Sequence, residues 1–172
     1  MRVLIISADK FEDTELLCPM NRLLEEGCIV DVASFEKGRI KGKKGYEVKV
    51  NIRLDELPDD PAGAYDLLLL PGGKAPAKLR RNEKVLETAR SFDRAGKPVA
   101  AICHAPQILI SAGLMEGRRA TAYSAVADEL KEAGAIYEDT EVVVEGNYIF
   151  SRHPGDLPAF NREIIRKLKH RK

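Results

Sequence analysis

Residues 1–35 read MRVLIISADKFEDTELLCPMNRLLEEGCIVDVASF. Val3 to Ile6 is a short continuous apolar run, as a strand buried on both faces requires, and it breaks into the polar stretch Ser7 to Asp13. From about Asp13 to Glu26, Leu16, Leu17, Met20, Leu23 and Leu24 recur at helical spacing, and Gly27 stops the helix. Cys28 to Phe35 alternates and is β-branched, which makes a second strand. A β-α-β opening of this kind fits a parallel sheet wrapped by helices.

The same grammar continues outward. Lys37 to Asn51 is rich in Gly and Lys with short alternating pieces, and predicts small accessory strands. Asp59-Asp60-Pro61 marks a loop, and Leu67 to Leu70 is a third buried strand that stops at Pro71-Gly72-Gly73. A helix over Glu83 to Ala95 ends at Gly96, and Pro98 leads into a fourth strand, Val99 to Ile102. Helical patterns follow at Pro106 to Ala112 and Val126 to Ala133, with a short strand at Ala120 to Tyr123 between them. Val142 to Val144 and Tyr148 to Phe150 flank a turn at Gly146-Asn147 and read as a hairpin. A last helix, Leu157 to Leu168, runs into the basic tail Lys167 to Lys172. The expected fold is α/β: a flavodoxin-like three-layer α/β/α sandwich with a mainly parallel sheet and a small accessory hairpin, one domain over 1–172.

Composition bounds the function. A chain of 172 residues buries about 70% of its unfolded surface, enough for one substantial core. With 28 Lys+Arg against 27 Asp+Glu, the net charge of +1 supplies no global field for nucleic acid or for an anionic membrane. The three cysteines, Cys18, Cys28 and Cys103, have no CxxC spacing, so neither a disulfide framework nor a metal site is indicated. A reducing, cytoplasmic setting is expected, with no signal peptide and no membrane span. Abundant mixed charge and the absence of Trp suit a thermophile surface, although a mesophile can look the same.

In open α/β sheets ligands bind beyond the carboxyl ends of the strands, and four such ends stand out. Cys103 follows the fourth strand, within Ala101-Ile102-Cys103-His104-Ala105, with small residues two positions before and after it. That is the steric pattern of a nucleophile elbow, and a thiol there, at a helix N-terminus, is favoured as thiolate. The alternative is that Cys103 is simply the last apolar residue of a buried strand. Pro71-Gly72-Gly73 either presents backbone N–H groups as an oxyanion site or is a tight turn. Glu12 reads as a helix cap, a role Asp13 or Thr14 could also fill; facing Cys103 instead, a protonated Glu12 carboxyl would stabilise the thiolate. Tyr123 and Ser124 follow the fifth strand, and His153 and His170 read as solvated.

These residues together carry a resemblance. Val3-Leu4-Ile5 with Glu12, Leu70-Pro71-Gly72-Gly73, Val99 through Leu109, the Gly146-Asn147 hairpin, and Ser151-Arg152 with Asp156-Leu157-Pro158 resemble the PfpI-type intracellular proteases of the DJ/PfpI superfamily, which is class I glutamine amidotransferase-like. The match spans the chain in order. The resemblance implies a cofactor-free cysteine hydrolase with Cys103 as nucleophile, Glu12 bonded to its sulfur and His104 as base. It also implies an oxyanion site from Gly72, Gly73 and N–H groups near His104, and a homo-oligomer, either a dimer or a ring of dimers. In such proteases a glutamate beyond Pro-Gly-Gly orients the histidine of a neighbouring subunit; here Ala77 stands at that position, so the third member of the triad is missing. Three activities remain open: a peptidase, a glyoxalase or protein deglycase acting on methylglyoxal or its adducts, and a stress sensor in which Cys103 is oxidised. The substrate is correspondingly a peptide or a small aldehyde, with Tyr123 a hydrogen-bond donor at the cleft edge.

Overall fold

The computed structural model describes residues 1–170, so Arg171 and Lys172 of the basic tail lie outside the described residues. Its elements run β1 (Arg2–Ile6), α1 (Asp13–Glu25), β2 (Ile29–Ser34), β3 (Gly38–Lys41), β4 (Glu47–Val50), β5 (Ile52–Arg53), α2 (Pro61–Ala64), β6 (Leu67–Leu70) and α3 (Ala75–Leu79). They continue as α4 (Glu83–Arg94), β7 (Val99–Ile102), α5 (Pro106–Ser111), β8 (Arg119–Ala120), α6 (Ala127–Glu132), β9 (Ile136–Tyr137), β10 (Val143–Glu145), β11 (Tyr148–Ser151) and α7 (Leu157–Lys169). The main sheet has the order β10-β11-β7-β6-β1-β2-β5, parallel throughout except for the β10–β11 hairpin. Helices flank it, α1 packing with α7 and α4 with α2 and α5. This is the expected α/β sandwich with its accessory hairpin, β3–β4.

The topology follows from burial. Every residue of β6, β7 and β11 is buried, as are Val3 to Ile6 of β1, so these strands need cover on both faces. The chain leaves β1 through α1 to β2 on one side and reaches β6 on the other. The sheet therefore reverses direction between β1 and β6, and a crevice opens above the carboxyl ends of β1, β6 and β7.

Among the short elements, α2, α3 and β9 were not legible in the sequence. Asp60-Pro61 starts α2, a single helical turn with Pro61 at its first position, and α3 follows Pro71-Gly72-Gly73 directly. The expected strand Ala120 to Tyr123 is Arg119–Ala120, paired with β9 in a separate two-stranded sheet. Cys18 is exposed, and its sulfur accepts a hydrogen bond from Asn161 Nδ2 at 3.4 Å, whereas Cys28 is buried. Among the described residues no helix is long and apolar enough to cross a membrane.

Candidate active site

Cys103 has φ 64°, in the left-handed region that a side chain rarely adopts. Two backbone bonds hold the bend. Its N–H donates to the Ser151 carbonyl and its own carbonyl accepts from the Tyr123 N–H, both at 3.0 Å. Strain of this kind costs about 1–3 kcal/mol and persists only where surrounding structure over-determines it. The fully buried Ala101 and Ala105 give the turn room. The bend also brings two consecutive side chains together, with Cys103 Sγ 3.2 Å from His104 Nδ1.

The carboxyl beside the sulfur belongs to Glu15, not Glu12. Glu15 is fully buried on α1, and its Oε2 accepts the Gly72 N–H at 2.8 Å. Oε1 is buried and accepts no hydrogen bond, and the carboxyl stands beside the Cys103 thiol, with which it interacts. Burial, helped by the nearby Glu12 charge, raises Glu15 to about 8 against the pull of the Gly72 N–H. At neutral pH Glu15 therefore favours its protonated form.

Glu12 performs neither of the roles read for it. Its backbone occupies the N-cap of α1, but its side chain makes no cap bond and instead accepts from Lys43 Nζ at 3.0 Å. Asp13 does not cap either. Its carboxylate accepts the Lys44 and Tyr46 N–H groups at 2.8 and 3.0 Å, which fixes the β3–β4 turn over the start of α1 and delivers Lys43 to the cleft.

The thiol itself departs from expectation. Burial, followed by the Glu15 charge, pushes Cys103 up to about 12, although the Gly73 and His104 N–H groups aim at the sulfur and oppose the shift. The physical reason is placement: Cys103 is only 8% exposed, and α5 begins three residues further on, at Pro106, too far for its first turn to hold a thiolate. His104 is lowered by burial and by the Lys43 charge. The resting site at neutral pH is thus a thiol, a neutral imidazole and a protonated carboxyl, with the transferable protons within reach of one another.

Gly72 and Gly73 divide their tasks. Gly72 spends its N–H on Glu15 and is not an oxyanion donor. It is a glycine because an added Cβ would lie 2.6 Å from Cys103 Cβ and 2.9 Å from the Ile102 carbonyl oxygen. Gly73, at φ 84°, aims its N–H at the sulfur, and with the His104 N–H it makes a two-donor nest. Gly72→Ala is expected to lower stability by about 1–3 kcal/mol and to displace Cys103; thermal unfolding and the rate of Cys103 alkylation would show both effects together.

A cavity of about 660 Å³ opens over the thiol, lined by Glu12, Glu15, Lys43, Gly73, Lys74, Ala77, Cys103, His104, Gln107, Tyr123, His153 and Pro154. The Tyr123 ring stands 5.0 Å from that of His104, and Tyr123 is 40% exposed at the rim. Gln107 is held by its amide nitrogen, which donates to Glu129 at 2.9 Å; Glu129 is in turn paired with Arg80. His153, exposed as expected, also lines this cleft. Ala77 lies on the wall, and among the described residues no carboxylate hydrogen-bonds to the His104 ring. Glu15, Lys43 and Gln107 were missed in the sequence. For Glu15 a signal existed: it shares a helix face with Pro19, four residues on, beside the buried Leu16 and Leu23, and an acid on an apolar face needs a partner.

A doubly wound parallel sheet carrying a strained cysteine elbow over a buried carboxyl, with a histidine next in sequence, defines a class of thiol-bearing α/β domains. The chain belongs to the DJ-1/PfpI family, whose sequence profile matches residues 1–167. It is 53% identical over 169 residues to the deglycase PfpI of Pyrococcus furiosus, a match covering 98% of this chain and 100% of that one. It is 40% identical over 169 residues to the putative cysteine protease YraA of Bacillus subtilis, covering 98% of each. Among solved structures, a two-domain protein of Anabaena variabilis containing DJ-1/ThiJ/PfpI-like and ferritin-like domains superposes with a TM-score of 0.94 at 37% identity. That match covers 98% of this chain and 50% of the other.

Proposed function

We propose that the protein is a thiol-dependent deglycase or glyoxalase, converting methylglyoxal, or its adducts on amines, to a hydroxy acid. The observation that carries this reading is the neutral Cys103–His104–Glu15 arrangement, in which His104 has no orienting carboxylate among the described residues. A relative named as a deglycase at 53% identity supports it.

The chemistry needs only what the cleft holds. Neutral His104 accepts the thiol proton as sulfur attacks the aldehyde carbon, and passes it to the carbonyl oxygen to give a hemithioacetal. Glu15, protonated, donates to the sulfur while negative charge gathers there, and the Gly73 and His104 N–H groups supply two further donors. His104 then removes the hydrogen on the thiol-bearing carbon and returns a proton to the adjacent carbon, as the hydroxyl proton moves to the neighbouring oxygen. The product is a thioester of the hydroxy acid, with no net oxidation. Water adds to the thioester carbonyl, sulfur leaves with a proton, and methylglyoxal plus water has become lactate. With an amine adduct, sulfur displaces the amine at the carbinol carbon, and the amine leaves with the proton.

Peptide hydrolysis asks for more. Its leaving amine must be protonated by an imidazolium held in one orientation, and losing the orienting acid costs a serine-type triad about 10⁴ in kcat. YraA, a relative named as a putative cysteine protease, keeps this reading in view. The assay separates them: purified protein is expected to form lactate from methylglyoxal and to leave an unstructured peptide such as casein uncut. Cys103-dependent casein cleavage without lactate would reverse the assignment. Selective addition of oxygen to Cys103 by mild peroxide, with neither activity present, would favour the sensor.

A further inference from the structure

A second cavity, of about 610 Å³, adjoins the first and is lined by Asp9, Lys10, Lys41, Gly42, Lys43 and Lys74. Lys43 and Lys74 line both, so the two spaces are continuous at that wall. Four lysines from three separate segments converge because their backbones are bonded together. The Lys10 N–H donates to the Lys41 carbonyl at 2.7 Å, and the Lys74 N–H donates to the Lys10 carbonyl at 2.9 Å. Lys10 holds φ 66° to make both contacts possible.

Their charges are left uncompensated. Lys43 pairs with Glu12, but among the described residues Lys10, Lys41 and Lys74 form no ion pair. Asp9, the one acid on the wall, accepts the Lys41 N–H at 2.8 Å. Three unpaired ammonium groups against one carboxylate leave a local charge of about +2, the complement of a phosphate monoester dianion rather than of a single carboxylate. Lysine ammonium groups serve phosphate well because they act as point charges and need no bidentate geometry. The site is concave and of small-molecule size, while the whole chain, at +1, has no field to attract a long polyanion.

We propose that this lysine-lined cavity binds the phosphate group of a small phosphorylated metabolite, whose remainder reaches along the Lys43–Lys74 wall toward Cys103. Phosphate binding here is independent of the reaction assigned to Cys103, so it is measured without chemistry. Isothermal titration of the full chain with ribose 5-phosphate is expected to show saturable binding that weakens as salt is raised, and ribose is expected not to bind. The double variant Lys10→Asn/Lys41→Gln, with asparagine chosen because it tolerates a positive φ, is expected to weaken binding about tenfold or more. Lys41→Gln alone, which leaves the Lys10 bend untouched, is expected to weaken it in the same direction, whereas Lys49→Gln, outside the lining of this cavity, is not. Absence of saturable binding, equal loss in the Lys49 control, or tighter binding of a short oligothymidylate than of ribose 5-phosphate would overturn the proposal.

Discussion

Cys103→Ser is expected to lower kcat/KM for methylglyoxal by about a thousandfold or more while leaving the fold in place. A hydroxyl is far harder to ionise than a thiol, and the half-buried, weakly basic His104 cannot make up the difference. The substitution changes no volume that matters: serine fits between Ala101 and Ala105, and the backbone bonds to Ser151 and Tyr123 remain. The measurement is lactate formation alongside thermal unfolding. An unchanged melting temperature with lost activity assigns the sulfur to the chemistry, and retained activity would remove Cys103 from it. Tyr123→Phe, which keeps the ring beside His104, serves as the mild comparison, since Tyr123 is partly exposed at the cleft.

Glu15→Gln is expected to stabilise the protein, and increasingly so as pH rises. A carboxyl raised to about 8 keeps its proton in the folded state across a range where the unfolded chain, near 4.5, has lost it. Stability therefore falls with pH between those values, by up to about 1.4 kcal/mol per unit, and levels off above them. Glutamine still accepts the Gly72 N–H and donates toward sulfur but never ionises, so the slope disappears. The gain reaches several kcal/mol by pH 8 and is absent near pH 4, as denaturant titrations at the two pH values would record. Activity follows the same group. Ionised Glu15 places a negative charge beside the developing thiolate, so wild-type kcat/KM is expected to fall as pH passes about 8, and that limb is lost in Glu15→Gln. Glu15→Leu removes the donor and is expected to cost about a hundredfold. Glu12→Gln breaks only a partly exposed pair with Lys43 and is expected to change stability by less than about 1 kcal/mol. Equal effects at the two positions would contradict the assignment of Glu15.

Much of this molecule was legible from periodicity. The buried strands announced themselves as uninterrupted apolar runs, and the longer helices as leucine spacing closed by Gly27 and Gly96, since burial on both faces and a left-handed helix stop each demand a narrow choice of residue. The elbow at Cys103 was legible for the same reason, because the bend tolerates only small neighbours. The choice between Glu12 and Glu15 was not. Glu12 stands at the N-cap of α1 and Glu15 in its first turn, and which one turns inward depends on the approach of Gly72 from the end of β6, a contact between residues 57 apart. The thiol's direction of shift escaped for a related reason: it follows from how deeply Cys103 is enclosed and how late α5 begins, neither of which spacing reveals. Lys41 and Lys43 were read within a Gly- and Lys-rich excursion and Lys10 and Lys74 were not singled out, because the four meet only through backbone bonds across three segments.

Central to all of this is a proton held by Glu15 at neutral pH beside the thiol of Cys103. Carbon-13 NMR of glutamate side-chain carboxyls, with the Glu15 resonance assigned by its loss in Glu15→Gln, follows that proton directly. The expected titration midpoint for Glu15 is about 8; a midpoint near the ordinary glutamate value of 4.5 would contradict it.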